Sequence, residues 1–374
     1  MNDPQKHIKV AISRTAFAHN IRWMREKMAP AKLCVVMKSD AYGHGLSALL
    51  DTAVEAGADH LGICTNVEAF EIRRKYPEHP MMRLRAALPD ELVESVETFN
   101  IEEMVGSMEA AEFLDRLGRR RGRSVPVHLK IDTGMGRTGF LPEELDAARR
   151  VCTMEGLRIR SIMTHLPCAD AADLATTHQQ LEQFQIIVTQ LADDLADDVL
   201  VHSHNSAASI RLPELRRDMV RVGAACYGVR TSTEFANPAS LRPVMSIATR
   251  IMEVRNVPAG RPIGYGSLFQ TGRPSRIATL PIGFGEGYPR ALFNTGIVLI
   301  NGQRCPVVGR VSLNVTTVDI TDLQSDVGTG DEVVLIGSQG NESITFEEMA
   351  DLFASVHTEI NLMAGRFNQR LYVD

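Results

Sequence analysis

Up to about residue 230 the chain alternates short apolar, β-branched runs with longer stretches whose apolar positions recur at helical spacing. The runs are "CVVMK" (34–38), "HLGICT" (60–65), "MMRLRA" (81–86), "IEEMVGS" (101–107), "VPVHLKI" (125–131), "IRSIMTH" (159–165), "VLVHSHNS" (199–206) and "MVRVGAACYG" (219–228). Between them lie patterns such as "LEQFQIIVTQLADDL" (181–195), which reads as an amphipathic helix. Strand–helix alternation predicts an α/β fold of parallel βαβ units, and eight such units predict a closed (β/α)8 barrel. A doubly wound sheet satisfies the same alternation.

After about residue 238 the texture changes. "IATRIMEVRNVPAGRPIGYGSLFQ", "SRIATLPIGFGEGYP", "GIVLINGQRCPVVGRVSLNVTTVDI" and "DEVVLIG" read as strands joined by Gly, Pro and Asn-Gly turns. Asn301-Gly302 is a hairpin signal. The pattern therefore predicts a barrel over residues 1–238 and a β-rich C-terminal domain over 239–374, closed by a helix near 346–356.

Bulk properties add limits. The 374 residues suit about two domains, and 44% hydrophobic with 23% charged residues is ordinary for a globular chain. A net charge of −6 offers no global polycation for nucleic acid or anionic lipid. The first residues lack an apolar signal-peptide core, and no run of about 18 apolar residues occurs, so the expected setting is cytoplasmic. The six cysteines are scattered and read as reduced structural thiols. The "RLGRRRGR" run (116–123) reads as a solvated helix end.

In a (β/α)8 barrel the chemistry collects at the C-terminal ends of the strands. Strand one offers Lys38 and Tyr42, and strand five offers Lys130 and then Arg137. Strand six offers His165, and strand seven His202, Asn205 and Ser206. Strand eight offers Arg221, Gly223 and Ala224. No carboxylate cluster accompanies them, which argues against a divalent metal. A lysine at the end of a buried strand suits Schiff-base chemistry, because desolvation and nearby cations free its amine as a nucleophile. Backbone N–H groups after strand eight, with a serine and a tyrosine, suit a phosphate. Lysine, phosphate cradle and stacking ring together match the needs of pyridoxal 5′-phosphate.

The motifs "VVMKSDAYGHG", "HLKIDTGMGRTGF", "SIMTHLPCAD", "HSHNSAAS", "MVRVGAACYGV", "IGYGSLF", "LPIGFGEGYPR" and "VVGRVSLN" resemble those of the alanine racemase family, over essentially the whole chain. The resemblance implies that Lys38 bonds the cofactor and serves one face of the substrate, while Tyr265 enters from a partner subunit as the second base. It implies that Tyr42, Ser206, Gly223 and Ala224 hold the cofactor's phosphate, that Asn205 is also cofactor-binding, that Arg221 faces the pyridine nitrogen, and that His165 packs on the ring. Arg137 and Leu313 would meet the substrate, and Lys130 is a candidate for carboxylation. A homodimer with shared sites is implied as well.

Three departures bear on specificity. Where alanine racemases usually read Cys-Met-Asp after "GRV", this chain has Ser312-Leu313-Asn314, closer to the broad-specificity amino-acid racemases. Thr358 and Phe284 stand where family tyrosines are usual. Losing a phenol ring opens volume, so the expected substrates extend beyond alanine to larger side chains. Two other classes share the barrel. Non-catalytic carriers of the cofactor lack the second domain. A decarboxylase would want an acidic partner for the pyridine nitrogen and a cysteine near position 312.

Overall fold

The computed structural model describes residues 7–230, 238 and 240–374. They form two compact units. The first, residues 17–41 and 46–242, is the barrel. Its strands are β2 (Lys32–Val36), β3 (His60–Ile63), β4 (Met81–Arg83), β5 (Glu103–Val105), β6 (Val125–Lys130), β7 (Leu157–Met163), β8 (Leu200–His202) and β9 (Met219–Val222). All eight correspond to the expected runs. They pair in parallel as β4-β3-β2-β9 and β5-β6-β7-β8. Two seams close the ring. Met82 bridges Glu102 in parallel, and Asp218 and Arg221 donate their N–H groups to Val201 O and His204 O at 3.0 and 2.9 Å.

Periodicity explains this choice over an open sheet. Each strand buries both faces, as a parallel strand must when helices cover one side and the barrel lumen lies on the other. The outward residues of β5–β7, among them Val105, Val127, Leu129 and Ile162, pack on helices through Leu114, Val151 and Phe184. The inward set includes Cys34, Met82, Met104, Met163 and Met219, a sulfur-rich filling of adaptable side chains.

The second unit comprises the chain up to residue 16, residues 42–45 and residues 243–374. This amends the expected division of 1–238 and 239–374; residue 239 itself lies outside the described residues. Strand β1 (Lys9–Ser13) was expected within the barrel half. It instead joins a seven-stranded sheet, between β10 (Met245–Arg250), antiparallel, and β20 (Arg370–Val373), parallel. Ile8, Val10 and Ile12 are buried in alternation, the pattern of a strand with one covered face.

The rest of that sheet is β15 (Ile297–Ile300), β16 (Gln303–Pro306), β18 (Glu332–Gln339) and β19 (Glu342–Ile344). A second sheet has β11 (Glu253–Val257), β14 (Ser275–Leu280) and β17 (Thr316–Asp319), and β12 (Pro262–Ile263) pairs with β13 (Phe269–Gln270). The Asn301-Gly302 turn is as expected. Both residues take positive φ, 49° and 73°, while Ile300 faces Gln303 across a two-residue loop. The terminal helix is two helices, Phe346–Asp351 and His357–Phe367, and the sequence reading missed the second.

Candidate active site

Lys38 follows directly on β2 and is half-buried. The backbone after it is unusual. Ser39, Asp40, Ala41 and Tyr42 all have φ between 53° and 55°, so four successive non-glycine residues turn left-handed. Each L-residue in that region costs roughly 1–2 kcal/mol, so the turn persists only because its surroundings fix it. Ala41 N–H donates to Met37 O at 2.8 Å, Leu46 N–H to Asp40 Oδ1 at 2.7 Å, and Ser39 N–H to Glu68 Oε1 at 2.5 Å.

At the end of β6 stand Lys130, buried, and then Asp132, whose carboxylate accepts the N–H groups of Gly134, Met135 and Arg137 at 2.7–3.0 Å. Four backbone donors hold that carboxyl below its usual range against the opposing pull of burial. The aspartate thereby shapes the loop that presents Arg137, an exposed side chain. Lys130 Nζ donates to Ile131 O at 2.7 Å. Burial, aided by Arg221 and Arg137, pushes its amine down to about 7.

His165 follows β7. Burial first, and then Arg221, Arg137, Lys130 and Lys38, push its imidazole down to about 3. Arg221 Nη2 stands 3.4 Å from its Nδ1, so a neutral imidazole lies beside a buried guanidinium.

Arg221 sits in β9, wholly inside the barrel. It donates to Thr164 O at 2.7 Å and Ser203 O at 3.1 Å, and it contacts His165 Nδ1 at 3.4 Å and His202 Nδ1. Burial lowers its guanidinium to about 10, still cationic at neutral pH.

A line of hydrogen bonds runs on from His202. Its Nε2 meets Ser161 Oγ at 2.7 Å, Ser161 Oγ meets His128 Nδ1 at 2.6 Å, and His128 Nε2 meets Glu102 Oε2 at 3.0 Å. A guanidinium only donates and a carboxylate only accepts, so both imidazoles carry their proton on Nε2 and every bond points toward Glu102. Burial keeps both rings neutral. Burial alone would raise the Glu102 carboxyl, but hydrogen bonds from His128 and His60 outweigh it and hold the group well below the carboxylate range. The sequence reading placed His202 on the rim. It belongs instead to this buried line, and His128, Ser161 and Glu102 were missed. Their signal was available: polar residues at inward positions of adjacent strands.

After β8, Asn205 caps the short helix Ser206–Arg211 by accepting Ala208 N–H at 3.0 Å, and its amide donates to Leu166 O at 2.9 Å. Ser206 Oγ accepts the N–H groups of Gly223 and Ala225 at 3.0 and 3.3 Å. Asn205, Ser206, Gly223 and Ala224 thus lie at one point of the rim, where two strand ends meet.

The remaining expected residues lie in the second unit. Tyr42 begins the 42–45 segment, which packs on the helix His357–Phe367: a Cβ on Gly43 would come within 2.5 Å of Asn361 O. Tyr265 is 72% exposed between Gly264 and Gly266, both at positive φ. Phe284 N–H donates to Ser312 O at 3.1 Å, Gly285 N–H to Leu313 O at 2.7 Å, and Asn314 Nδ2 to Glu286 Oε1, which brings the specificity candidates together. Thr358 is the second residue of the helix His357–Phe367; at the opposite end, Asn368 Nδ2 donates to Glu286 O at 2.7 Å.

The barrel set fits pyridoxal 5′-phosphate in kind: an amine at a strand end, a buried guanidinium, a neutral imidazole among cations, and a serine with glycine-lined backbone at the other side of the rim. The family description "Alanine racemase, N-terminal domain" matches residues 12–231, and "Alanine racemase, C-terminal domain" matches 244–372. An alanine racemase from Syntrophobacter fumaroxidans is 38% identical over 363 residues, 96% of each chain. A broad specificity amino-acid racemase from Pseudomonas taetrolens is 35% identical, covering 100% of this chain and 91% of its own. The crystal structure of alanine racemase from Bartonella henselae with covalently bound pyridoxal phosphate superposes with a TM-score of 0.89, at 28% identity over 98% and 99% of the two chains. With both domains matched and relatives aligned end to end, the chain belongs to the alanine racemase family.

Proposed function

We propose that this chain is a pyridoxal 5′-phosphate-dependent amino-acid racemase acting on alanine and on larger side chains. The observation that carries the reading is the barrel rim itself: Lys38 just beyond the end of β2, and a buried Arg221 that bonds Thr164 O and Ser203 O and stands 3.4 Å from His165 Nδ1. When bound, the cofactor supplies an aldehyde for a lysine or substrate amine and an electron sink that acidifies the substrate's Cα–H.

The chain's own groups then divide the work. Lys38 bonds the cofactor and moves the Cα proton on one face. Tyr265 of the partner subunit serves the other face, and two bases on opposite faces are what inversion of a stereocentre requires. Tyr42, Ser206, Gly223 and Ala224 would hold the phosphate, Asn205 would border the cofactor, and His165 would pack on the ring. Arg137 holds the substrate carboxylate, with Leu313 beside the substrate. Arg221 would face the pyridine nitrogen as a fixed cation, and would disfavour a second positive charge there. A decarboxylase would want an acidic partner for the pyridine nitrogen, where this chain offers the cationic Arg221.

Lys130, with an amine near 7, is free to take up carbon dioxide at neutral pH. The resulting anion would lie against Arg137. The setting is cytoplasmic and the assembly a homodimer. Among the described residues no helix is long and apolar enough to cross a membrane.

The test is direct. Borohydride reduction of the purified holoprotein, followed by peptide mapping, should find the cofactor on Lys38. Chiral chromatography should show L-alanine converted to the racemate. Cofactor on another lysine, or alanine returned unchanged, overturns the reading.

A further inference from the structure

The left-handed turn after Lys38 needs an anchor, and one side chain outside the expected site supplies it. Glu68 lies in the first turn of the helix Asn66–Lys75 and is only 8% exposed. Its Oε2 accepts Cys64 N–H at 2.7 Å and Thr65 N–H at 3.1 Å, while Glu68 N–H donates to Thr65 Oγ1 at 3.3 Å. That much is a capping box, which needs a single carboxylate oxygen. The other oxygen, Oε1, reaches across to β2 and accepts Ser39 N–H at 2.5 Å. One buried carboxylate therefore ties the end of β3 to the residue after Lys38. Three backbone N–H groups share its two oxygens.

We propose that Glu68 is a positioning residue for Lys38: by holding Ser39 N–H it stabilises the left-handed turn and sets where the Lys38 amine stands. The proposal rests on the reading of Lys38 as the cofactor lysine. Helix capping alone does not explain the contact, because a glutamate that only capped would leave Oε1 toward solvent. Asp40 and Ala41 fasten the far side of the same turn through Leu46 N–H and Met37 O. On the β3 side the tie is Glu68. Without it Ser39 can relax toward right-handed backbone, and Lys38, one residue earlier, swings with it.

Three full-length variants separate the two roles. Glu68→Ala removes both, Glu68→Gln keeps the shape but aims an amide N–H at one set of donors, and Thr65→Val weakens the cap while leaving Glu68 in place. The readouts are hydrogen exchange of the 38–46 amides, the pH titration of the bound cofactor's visible absorbance, and kcat against KM for alanine.

For both Glu68 variants the expected result is exchange in 38–46 faster by roughly tenfold. The titration midpoint should shift, and kcat should fall roughly ten- to a hundredfold with KM little changed. Thr65→Val should lower thermal stability and leave those three readouts at wild-type values. If Glu68→Ala does not fold, Glu68→Gln decides. Wild-type exchange, titration and kcat in a folded Glu68 variant overturn the proposal, as does a Thr65→Val protein that reproduces the Glu68 changes. Borohydride labelling of the wild type at a different lysine overturns the reading of Lys38 itself. A Glu68 variant with wild-type behaviour and the label on Lys38 overturns the positioning role alone.

Discussion

Arg221 and His202 share a hydrogen bond in which the guanidinium can only give and the imidazole Nδ1 can only receive. That one contact fixes the proton on the far nitrogen of His202. It also settles the direction of each later step through Ser161 and His128 to Glu102. A cation under the cofactor site and an anion deeper in the barrel are thus joined through neutral groups, and none of the three intermediaries is left with an unmatched donor.

Ser161 is the hinge of that line, since its hydroxyl must accept from one ring and donate to the other. Ser161→Ala should leave His202 Nε2 and His128 Nδ1 without partners, at a cost of about 1–3 kcal/mol in chemical denaturation. Nitrogen NMR should show the His202 tautomer no longer uniform. Ser161→Thr, which keeps the hydroxyl, should recover most of both. Equal behaviour of the Ala and Thr variants would show that the hydroxyl carries no directional role.

Lys38→Ala and Tyr265→Phe should each lower racemisation strongly, since a positioned general base contributes about 10²–10⁴-fold. If sites are shared across a dimer, mixing the two inactive proteins should restore activity in hybrid dimers that hold one intact site. Absence of recovery after verified subunit exchange rules out the shared arrangement.

Thr358 and Phe284 occupy positions where the family resemblance leads one to expect tyrosine, and Phe284 N–H bonds Ser312 O. Wild-type protein should racemise serine, lysine, arginine or methionine as well as alanine. One methylene in a pocket is worth only about 1–3 kcal/mol, so opening space widens the range without excluding alanine. Thr358→Tyr should shift the kcat/KM ratio toward alanine. Turnover of alanine with none of the larger substrates detectable would end the open-pocket argument.

Acid should destabilise the protein well above the carboxylate range. His165 falls from an ordinary value of 6.5 to about 3 on folding, and His128 and His202 are also lowered, in each case chiefly by burial. Between 6.5 and the folded value the unfolded chain binds the extra proton, so stability declines as pH falls through that window. Each ring contributes up to about 1.4 kcal/mol per pH unit while it alone titrates. Urea midpoints at pH 7.5, 6.0 and 5.0 should fall in sequence, and His165→Asn should flatten the decline. A midpoint constant down to pH 5 contradicts the neutral buried rings.

The barrel was legible because each strand announces itself as a short apolar run, and eight of them admit few parallel arrangements. Lys38 and Arg221 were legible for the opposite reason: a charge in an apolar run is costly and asks for a cause. What the sequence concealed depends on pairing between distant segments. Val10 and Ile12 read as a strand only once Ile247 and Met245 lie opposite them. Glu68 looks like any helix-start glutamate until β2 and β3 are adjacent and Ser39 N–H comes within reach. The His202–Glu102 line likewise needs β8, β7, β6 and the residue before β5 in register, and no local pattern encodes that. Thr358 was found by alignment with family motifs, whereas the helix that carries it was not, because "HTEINLMAGRF" has a weak apolar stripe broken by polar residues.

The placement of β1 has a consequence for how the chain is made. Its sheet partners begin at residues 245 and 370, so the whole barrel is synthesised between this strand and the strands that cover it. At about 5–20 residues per second, β1 waits tens of seconds on the ribosome with its hydrogen-bonding edges unclaimed. Over that time the barrel can close by itself, since its eight strands pair only with one another. The order of synthesis therefore finishes the cofactor-holding half first. β1, made before the barrel, is among the last strands to find its partners.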